Sequence, residues 1–292
     1  MTLIAAFPYG RKDRSALRLA AVLARSSGHP LRIVSVIPAP GSTLPSSGGY
    51  LQFAEWSRER GKQAVAEAQA AAAEICPDLD THAVSVSAES RARALIAEAE
   101  KSGARMIVVG SGTDGKRGRV RLSSTSDRLL HSSPVPVALA PREYDVPAGS
   151  TVTRVTCSYR GDEHSRSVLL RTAEIARDVG ADLRIATFAA GGRTVEPSTL
   201  EEGSARETLI AEVTASQETA LTSISAYARP GSVATVVGTG RDWAAAVESV
   251  DWVSGEVLVL GSSDEGPKSR LFLGSDASKI IRSTPVPVVV VP

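Results

Sequence analysis

The last ten residues, "STPVPVVVVP" (283–292), nearly repeat ten residues from the middle of the chain, "SSPVPVALAP" (132–141). Each stretch joins strand-forming valines to closely spaced prolines. Because proline has no N–H to donate to a neighbouring strand, it occurs at the edge of a sheet or at the start of a strand. We therefore expect each stretch to contain a strand at a sheet edge.

The repetition extends over the whole chain. "ARMIVVGSG" (104–112) aligns with "GEVLVLGSS" (255–263), and "ALRLAAVLARSSGHPLRIVSV" (16–36) aligns with "VLLRTAEIARDVGADLRIATF" (168–188). Three blocks in the same order and at nearly constant spacing indicate duplication of a whole domain. The sequence predicts a first domain over residues 1–141, a linker over 142–150 and a second domain over 151–292.

Length and composition fit two ordinary globular domains. The 292 residues suffice for two cores, and 33 basic residues nearly balance 32 acidic ones, so the net charge predicts neither nucleic-acid binding nor membrane attraction. No apolar run reaches the roughly 18 residues that span a bilayer. We therefore expect a cytoplasmic protein. We also expect no metal site, because the cysteines and histidines show no metal-ligand spacing. These residues are Cys76, Cys157, His29, His82, His131 and His164.

Each half alternates strands and helices. In the first half, strands are predicted at "TLIAAF", "LRIVSVI", "THAVSVS", "RMIVVG" and "VPVALA", and helices at Ser15–Ser27, Leu51–Ile75, Ser90–Lys101 and 124–131. The second half repeats the pattern with strands at "RVTCSY", "DLRIATF", "VATVVG", "EVLVLG" and "VPVVVV". Strands rich in Val, Ile and Leu, separated by helices, indicate an α/β fold with five parallel strands per domain and helices on both faces.

The proline-marked strands predict how the two domains associate. An exposed edge invites pairing with another edge, so we expect the two fifth strands to meet, with an interface at Val135, Val137, Val286 and Val288. The alternative is that the prolines only protect a free edge against aggregation.

Glycine-rich turns follow the fourth strand of each half, as "GSGTDGKRGRVRLSSTSD" (110–127) and "GSSDEGPKSRLFLGSDAS" (261–278). In such sheets, ligands bind beyond the carboxyl ends of the strands, and glycines followed by a serine at a helix start suit a phosphate. The alternative is a flexible turn with an ordinary helix cap, for which Ser124 and Asp127 have the spacing of a capping box. The candidate nucleotide-binding residues are Gly110, Ser111, Gly112, Ser123, Ser124, Gly261, Ser262, Gly266, Gly274 and Ser275.

The order of elements, the "VVGS" turn and the "PVPVVVVP" ending resemble the universal stress protein family, and in particular its tandem, two-domain members. The resemblance implies two flavodoxin-like domains of the Rossmann-like, adenine nucleotide alpha hydrolase-like type that associate through their fifth strands. Some members of the family bind ATP. Their motif after strand four is Gly, two residues, Gly, nine residues and Gly-Ser or Gly-Thr, and an Asp at the end of strand one contacts the adenosine.

The match to the family's ATP motif is partial. In the second half Gly261, Gly274 and Ser275 fall on the motif, while Asp264 replaces its second glycine and Gly266 is the nearest substitute. In the first half Gly110 and Ser124 match, and Thr113 and Ser123 replace glycines. The strand-one Asp is missing from "FPYG" (7–10) and from "YRGDE" (159–163), where Arg160 stands nearest. ATP, if it is a ligand, is therefore expected in the second domain.

Two further stretches have a functional and a structural interpretation. Lys116, Arg117, Arg119 and Arg121 either bind phosphates or an acidic partner, or form a solvated loop. Trp243, Val247, Val250 and Trp252 are expected to pack against the sheet; the alternative is that the tryptophans stack on a base.

The resemblance implies a role in the stress response, through nucleotide-dependent or partner binding. Two hypotheses remain: an adenine-nucleotide sensor that uses the second domain, and a scaffold without nucleotide that acts through protein–protein contacts. A third, slow ATP hydrolysis, lacks an identifiable general base, so we expect no enzyme. The sequence leaves open whether the chain forms a homodimer and which protein it binds.

Overall fold

The two halves of the chain form one ten-stranded sheet in the structure, a computed structural model that describes residues 2–39, 48–190, 201–227, 233–262 and 273–292. The first half contains β1 (Thr2–Ala6), α1 (Ser15–Ser27), β2 (Leu31–Pro38), α2 (Gly48–Ile75), β3 (Thr81–Ala88), α3 (Arg91–Ser102), β4 (Ala104–Gly110), α4 (Ser124–Leu129) and β5 (Val137–Ala140). The second half contains β6 (Arg154–Ser158), α5 (Glu163–Asp178), β7 (Asp182–Ala190), α6 (Glu201–Ile224), β8 (Val233–Gly240), α7 (Trp243–Glu248), β9 (Glu256–Gly261), α8 (Ser275–Ser283) and β10 (Val288–Val291).

The strand order confirms the predicted α/β fold. It runs β3-β2-β1-β4-β5-β10-β9-β6-β7-β8, so each half contributes five neighbouring strands. Within each half all pairs are parallel. One hydrophobic core lies under α1, α2, α5 and α6, and the other lies under α3, α4, α7 and α8 on the opposite face. This two-sided cover explains why the strands are almost continuously apolar.

The halves join where the prolines predict. β5 and β10 pair antiparallel, with Val288 opposite Leu139 and Val290 opposite Val137. Pro136 and Pro287 stand just before these strands, and their carbonyls accept hydrogen bonds from β4 and β9 at 3.0 and 2.9 Å. Proline is tolerated at a strand start because its missing N–H is not needed there. The two domain edges thus become the centre of the larger sheet.

Two of the four predicted interface residues lie outside the β5–β10 ladder, although both pack in the core cluster that the two domains share. Val135 and Val286 precede the paired strands, so they do not take part in the β5–β10 ladder. The physical reason is that Pro136 and Pro287 each interrupt the run of donors, and regular pairing starts only after them. Val137 and Val288 do lie in the ladder, but they do not pair with each other: Val137 pairs with Val290, and Val288 pairs with Leu139.

The predicted capping box at the start of α4 is shifted by one residue. Ser123, not Ser124, is the N-cap: its hydroxyl accepts from the Ser126 N–H at 3.2 Å, and the Ser126 hydroxyl accepts from the Ser123 N–H at 2.7 Å. Asp127 lies within the first turn. At the third helical position Ser126 does what Glu usually does in a capping box: its side chain accepts the hydrogen bond from the N–H of the N-cap residue.

Residues 142–150 pack on the first domain. The Tyr144 N–H donates to the Ser15 hydroxyl at 2.9 Å, and Arg18 forms an ion pair with Asp145 at 2.7 Å. The Tyr144 ring packs against the core, and this burial raises the pKa of Tyr144 to about 12.

The tryptophan-rich stretch packs as predicted. Val247 and Val250 are buried in the core below α7, and the Trp252 ring stacks on Phe188 with 6.4 Å between the ring centroids.

Candidate functional site

The crevice of the second domain lies beyond the carboxyl ends of its strands, as in other doubly wound sheets. The ends of β6, β7 and β9 and the first turn of α8 surround a cavity of about 70 Å³. Ligand pockets for small molecules usually measure ~300–1,000 Å³. The residues that line the cavity include Ser158, Arg160, His164, Thr187, Trp243, Gly261, Asp276 and Ile280.

A histidine occupies the space in front of the motif glycine. A Cβ atom on Gly261 would lie 2.7 Å from His164 Nε2 and 2.9 Å from Val168 Cγ2, both shorter than side-chain contacts allow. Gly261 is therefore needed to fit the imidazole of α5 against the end of β9. Gly261, which falls on the family's ATP motif, thus makes room for a side chain of this chain.

Opposite charges pair at the mouth of this crevice. Arg160, at the end of β6, lies 2.8 Å from Asp162. Asp162 also caps α5, since its carboxylate accepts from the Ser165 N–H at 2.7 Å. Partial burial would raise the pKa of Asp162, but the Ser165 hydrogen bonds and the Arg160 charge outweigh it and hold the pKa below its ordinary value. Near the end of the second domain's first strand, where the family's ATP-binding members have an Asp, this chain thus has an arginine whose charge is paired with Asp162.

The remaining candidates of the second domain lie around the start of α8. Gly274 is the N-cap, and Ser275 is the exposed first residue of the helix. The Ser262 N–H donates to the Val291 carbonyl at 2.8 Å, which ties this residue to β10. Gly266, like Asp264, lies outside the described residues.

In the first domain the glycine turn bonds to itself. The Gly112 N–H donates to the Arg121 carbonyl at 2.7 Å, and the Ser111 hydroxyl accepts from the Arg121 N–H at 2.8 Å. Ser123 caps α4, and Gly110 ends β4 beside Ala16, with 3.8 Å to an added Cβ. Several of the groups predicted to bind phosphate therefore already bond within the protein.

The strand-one turn of the first domain is bonded to α2. The Tyr9 hydroxyl donates to Gln63 Oε1 at 2.9 Å and accepts from Arg60 at 2.9 Å. Glu67 accepts from the Gly10 N–H at 3.2 Å and from Arg14 at 2.5 Å. The turn that would hold the adenosine anchor thus contacts a helix of its own domain.

The basic run after β4 meets acidic groups of its own chain. Arg117 contacts Glu143 at 2.9 Å, and Arg119 crosses to Glu248 of α7 in the second domain, also at 2.9 Å. Arg121 lies 3.9 Å from Asp114. For Arg119, the acidic group that it contacts therefore belongs to the second domain of the same chain.

Metal-type side-chain clusters and membrane-spanning helices are both absent from the described ranges. No group of three or more His, Cys, Asp or Glu side chains there is arranged to hold a metal ion. None of the helices, as far as they are described, has the length and apolar character needed to cross a membrane.

The sequence analysis noted only that His164 has no metal-ligand spacing and did not predict its contact with Gly261. A signal was available: His164 lies in the first turn of the helix that follows strand one, close to the turn where the family motif expects the ligand.

Comparisons with known proteins agree with this architecture. The model of the universal stress protein family matches residues 10–141 and 151–292. A universal stress protein of Mycobacterium tuberculosis and one of Mycobacterium bovis are each 35% identical to this chain over 295 residues, with 100% of both chains covered. The crystal structure of a universal stress protein from Archaeoglobus fulgidus is similar to this fold, with a TM-score of 0.58 and 18% sequence identity. The match covers 99% of this chain and 95% of the chain in that crystal structure.

Proposed function

The chain belongs to the universal stress protein family, and from this we propose that it acts in the stress response as a regulatory protein that binds a protein partner. We propose further that it turns over no substrate. This is the second of the two hypotheses that the sequence left open.

The observation that argues most strongly against a nucleotide, and so leaves partner binding as the favoured hypothesis, is the size of the second domain's crevice. The sequence favours this crevice for ATP, yet the described lining encloses about 70 Å³, below the ~300 Å³ of a small ligand pocket. His164 fills the space in front of Gly261, and Arg160 is paired with Asp162. A nucleotide would have to displace the imidazole and compete for the arginine before it gained contacts of its own.

A second candidate, weak nucleotide binding in the second domain, has one observation in its favour. The nine-residue helix α8 starts at Gly274 and Ser275, and Arg160 lines the same crevice. A helix start beside an arginine suits an anion. On this alternative, His164 would rotate away when the ligand enters.

Two measurements separate these candidates. The freshly purified protein is denatured and its released small molecules are analysed by mass spectrometry, and the native protein is titrated with magnesium ATP by calorimetry. We expect no nucleotide and no heat of binding up to ~1 mM ATP. Co-purified nucleotide, or saturable heat with the unaltered protein, would contradict partner binding as the sole function.

His164→Ala tests the physical reason. Removing the imidazole enlarges the crevice in front of Gly261, so this variant should gain ATP affinity if His164 is what excludes the nucleotide. Gly274→Asp in the same background adds a carboxylate at the start of α8 and should abolish the gain. His131→Ala, an exposed histidine of the first domain, is the control and should leave the titration unchanged.

A further inference from the structure

The outer edge of the first domain exposes backbone groups that no described residue pairs with. β3 is the last strand of the sheet and pairs only with β2 among the described residues. The carbonyls of Asp80 and Ala88 accept from Leu31 and Ala39 on the β2 side. Because backbone groups alternate between the two sides of a strand, the N–H and C=O groups of the odd-numbered positions point outward; these are Thr81, Ala83, Ser85 and Ser87.

This edge lacks the residues that protect an edge strand. Proteins usually blunt a free edge with charged side chains, proline, a bulge or a short strand. β3 has eight residues, "THAVSVSA", with no Lys, Arg, Asp, Glu or Pro, and its eight-residue pairing with β2 is without a bulge. Such an edge is suited to accept another strand.

A groove lies between this edge and α2, with a volume of about 790 Å³. Ser85 and Ser87 line it from the strand, and the small side chains of Ala54 and Val65 line it from the helix. Gly61 lets the helix approach here, since a Cβ atom on it would lie 2.7 Å from the Ser85 hydroxyl. An added strand would therefore find room for every second side chain beneath α2.

An exposed leucine lies one helical turn before this groove. Leu51 stands three residues before Ala54 on the same side of α2, and 71% of its surface is exposed. It does not line the groove itself.

The groove is positively charged. Arg58 and Lys62 both line it and both are exposed. Lys62 lies 3.4 Å from Glu59, an exposed contact that is weak because water screens it. No ion pair of Arg58 occurs among the described residues. The complementary ligand is therefore acidic.

We propose that β3 and the groove beneath α2 bind an extended, acidic segment of a partner protein, which adds to the sheet as an eleventh strand. Main-chain hydrogen bonds to the outward-facing positions hold the segment, and its alternate side chains enter the groove beside Arg58 and Lys62. This inference rests on the proposed function, because it names the surface through which the partner binds.

The opposite edge provides an internal comparison. β8 ends the sheet on the second domain, and its pairing with β7 repeats that of β3 with β2, with Val233 opposite Leu183 as Thr81 is opposite Leu31. Between residues 207 and 224, the helix α6 beside this edge contains no Lys or Arg; Thr214 is exposed there, and Gln217 is buried and donates to the Thr187 hydroxyl and the Val236 carbonyl at 3.0 Å each. The pair of basic side chains that selects an acidic segment thus has no counterpart in this part of α6.

The test titrates the full-length protein with a fluorescein-labelled octapeptide of alternating valine and glutamate, blocked at both ends, and records anisotropy. We expect saturable binding that Arg58→Glu and Lys62→Glu each weaken about tenfold. Thr214→Glu makes the matched change at the β8 edge and should leave binding unchanged. Hydrogen exchange should show slower amides at Ala83 and Ser85 when the peptide is bound.

Four results of these measurements would overturn the proposal, and a fifth would assign the surface to another occupant. These are no saturation at ~1 mM peptide, equal binding of a valine–lysine peptide, equal binding of a valine–glutamate peptide with alternate amides N-methylated, and protection at β8 instead of β3. A concentration-dependent dimer that Arg58→Glu dissociates would make a second copy the occupant, which also contradicts it. Retained ATP would overturn the proposed function alone, whereas a failed titration without nucleotide would remove only this surface.

Discussion

Glu256 is a carboxylate whose side chain is fully buried at the start of β9. It accepts hydrogen bonds from Arg184 at 2.5 Å, from Arg154 at 2.6 Å and from the hydroxyl of Thr156. It also accepts from the Val253 N–H at 3.0 Å. One carboxylate therefore neutralises two arginines inside the second domain.

Replacing Glu256 by alanine should destabilise the protein strongly, because it leaves the buried Arg184 guanidinium without its counter-charge. Only 6% of the Arg184 side chain is exposed, and this burial lowers the pKa of Arg184 while the charge of Glu256 opposes the shift. In the variant the guanidinium keeps the Asp251 carbonyl at 2.7 Å and the Trp252 ring at 5.0 Å, but within the described part of the chain no carboxylate remains at ion-pair distance. Breaking a buried pair from one side costs ~3–5 kcal/mol.

Urea unfolding followed by circular dichroism measures this cost. Asp276→Asn is the control, because its partner Lys279 is exposed and lies 3.0 Å away, so the change in the free energy of unfolding should stay below about 1 kcal/mol. The double variant Glu256→Leu with Arg184→Met should cost less than Glu256→Leu alone, since apolar replacement removes both buried charges. A loss below about 1 kcal/mol for Glu256→Ala, or additive losses in the double variant, would refute this reasoning.

Three further predictions concern single groups. Burial raises the pKa of the Cys157 thiol to about 12 and also raises that of Cys76, so neither should react with a thiol reagent at pH 8 until the protein unfolds; reaction of the native protein would contradict this. Asp162→Ala should lower the free energy of unfolding by about 1 kcal/mol at pH 7, because it removes the cap of α5. Since the pKa of Asp162 is lowered in the folded protein, this difference in stability should disappear as the pH falls from 3.8 through the folded-state pKa. A difference that stays constant in acid unfolding experiments would argue against this prediction. Gly261→Ala should cost ~1–3 kcal/mol because its Cβ meets His164 at 2.7 Å, whereas Gly110→Ala, with 3.8 Å to Ala16, should cost much less; equal unfolding midpoints would contradict the close contact.

The strands were predictable from sequence because their physics is local. A run such as "LRIVSVI" is mostly apolar on both faces, and only a sheet covered on both sides buries it. The end of the helix predicted over Ser15–Ser27 was equally local, because the next residue, Gly28, has a φ of 67°, which favours glycine. The repeated prolines predicted which edges meet because an unpaired edge must be covered or blunted.

The side-chain geometry of the site was not predictable in the same way. The arginine inside each second strand, Arg32 or Arg184, interrupts an apolar run and signals a buried partner, but it does not say which one. The structure pairs Arg32 with Glu98 of α3 and Arg184 with Glu256 of β9, so the two domains use different elements. The contact of His164 with Gly261 likewise depends on how α5 packs against β9, which involves residues distant in sequence.

The most direct test of the account is native-state hydrogen exchange along the β5–β10 pair. If these two strands join the domains into one sheet, their amides between Val137 and Ala140 and between Val288 and Val290 should exchange only through global unfolding. The outward amides of β3, at Thr81 and Ala83, should exchange quickly and remain available to a partner. Fast exchange at β5 and β10, or slow exchange along the outer edge of β3, would contradict the account.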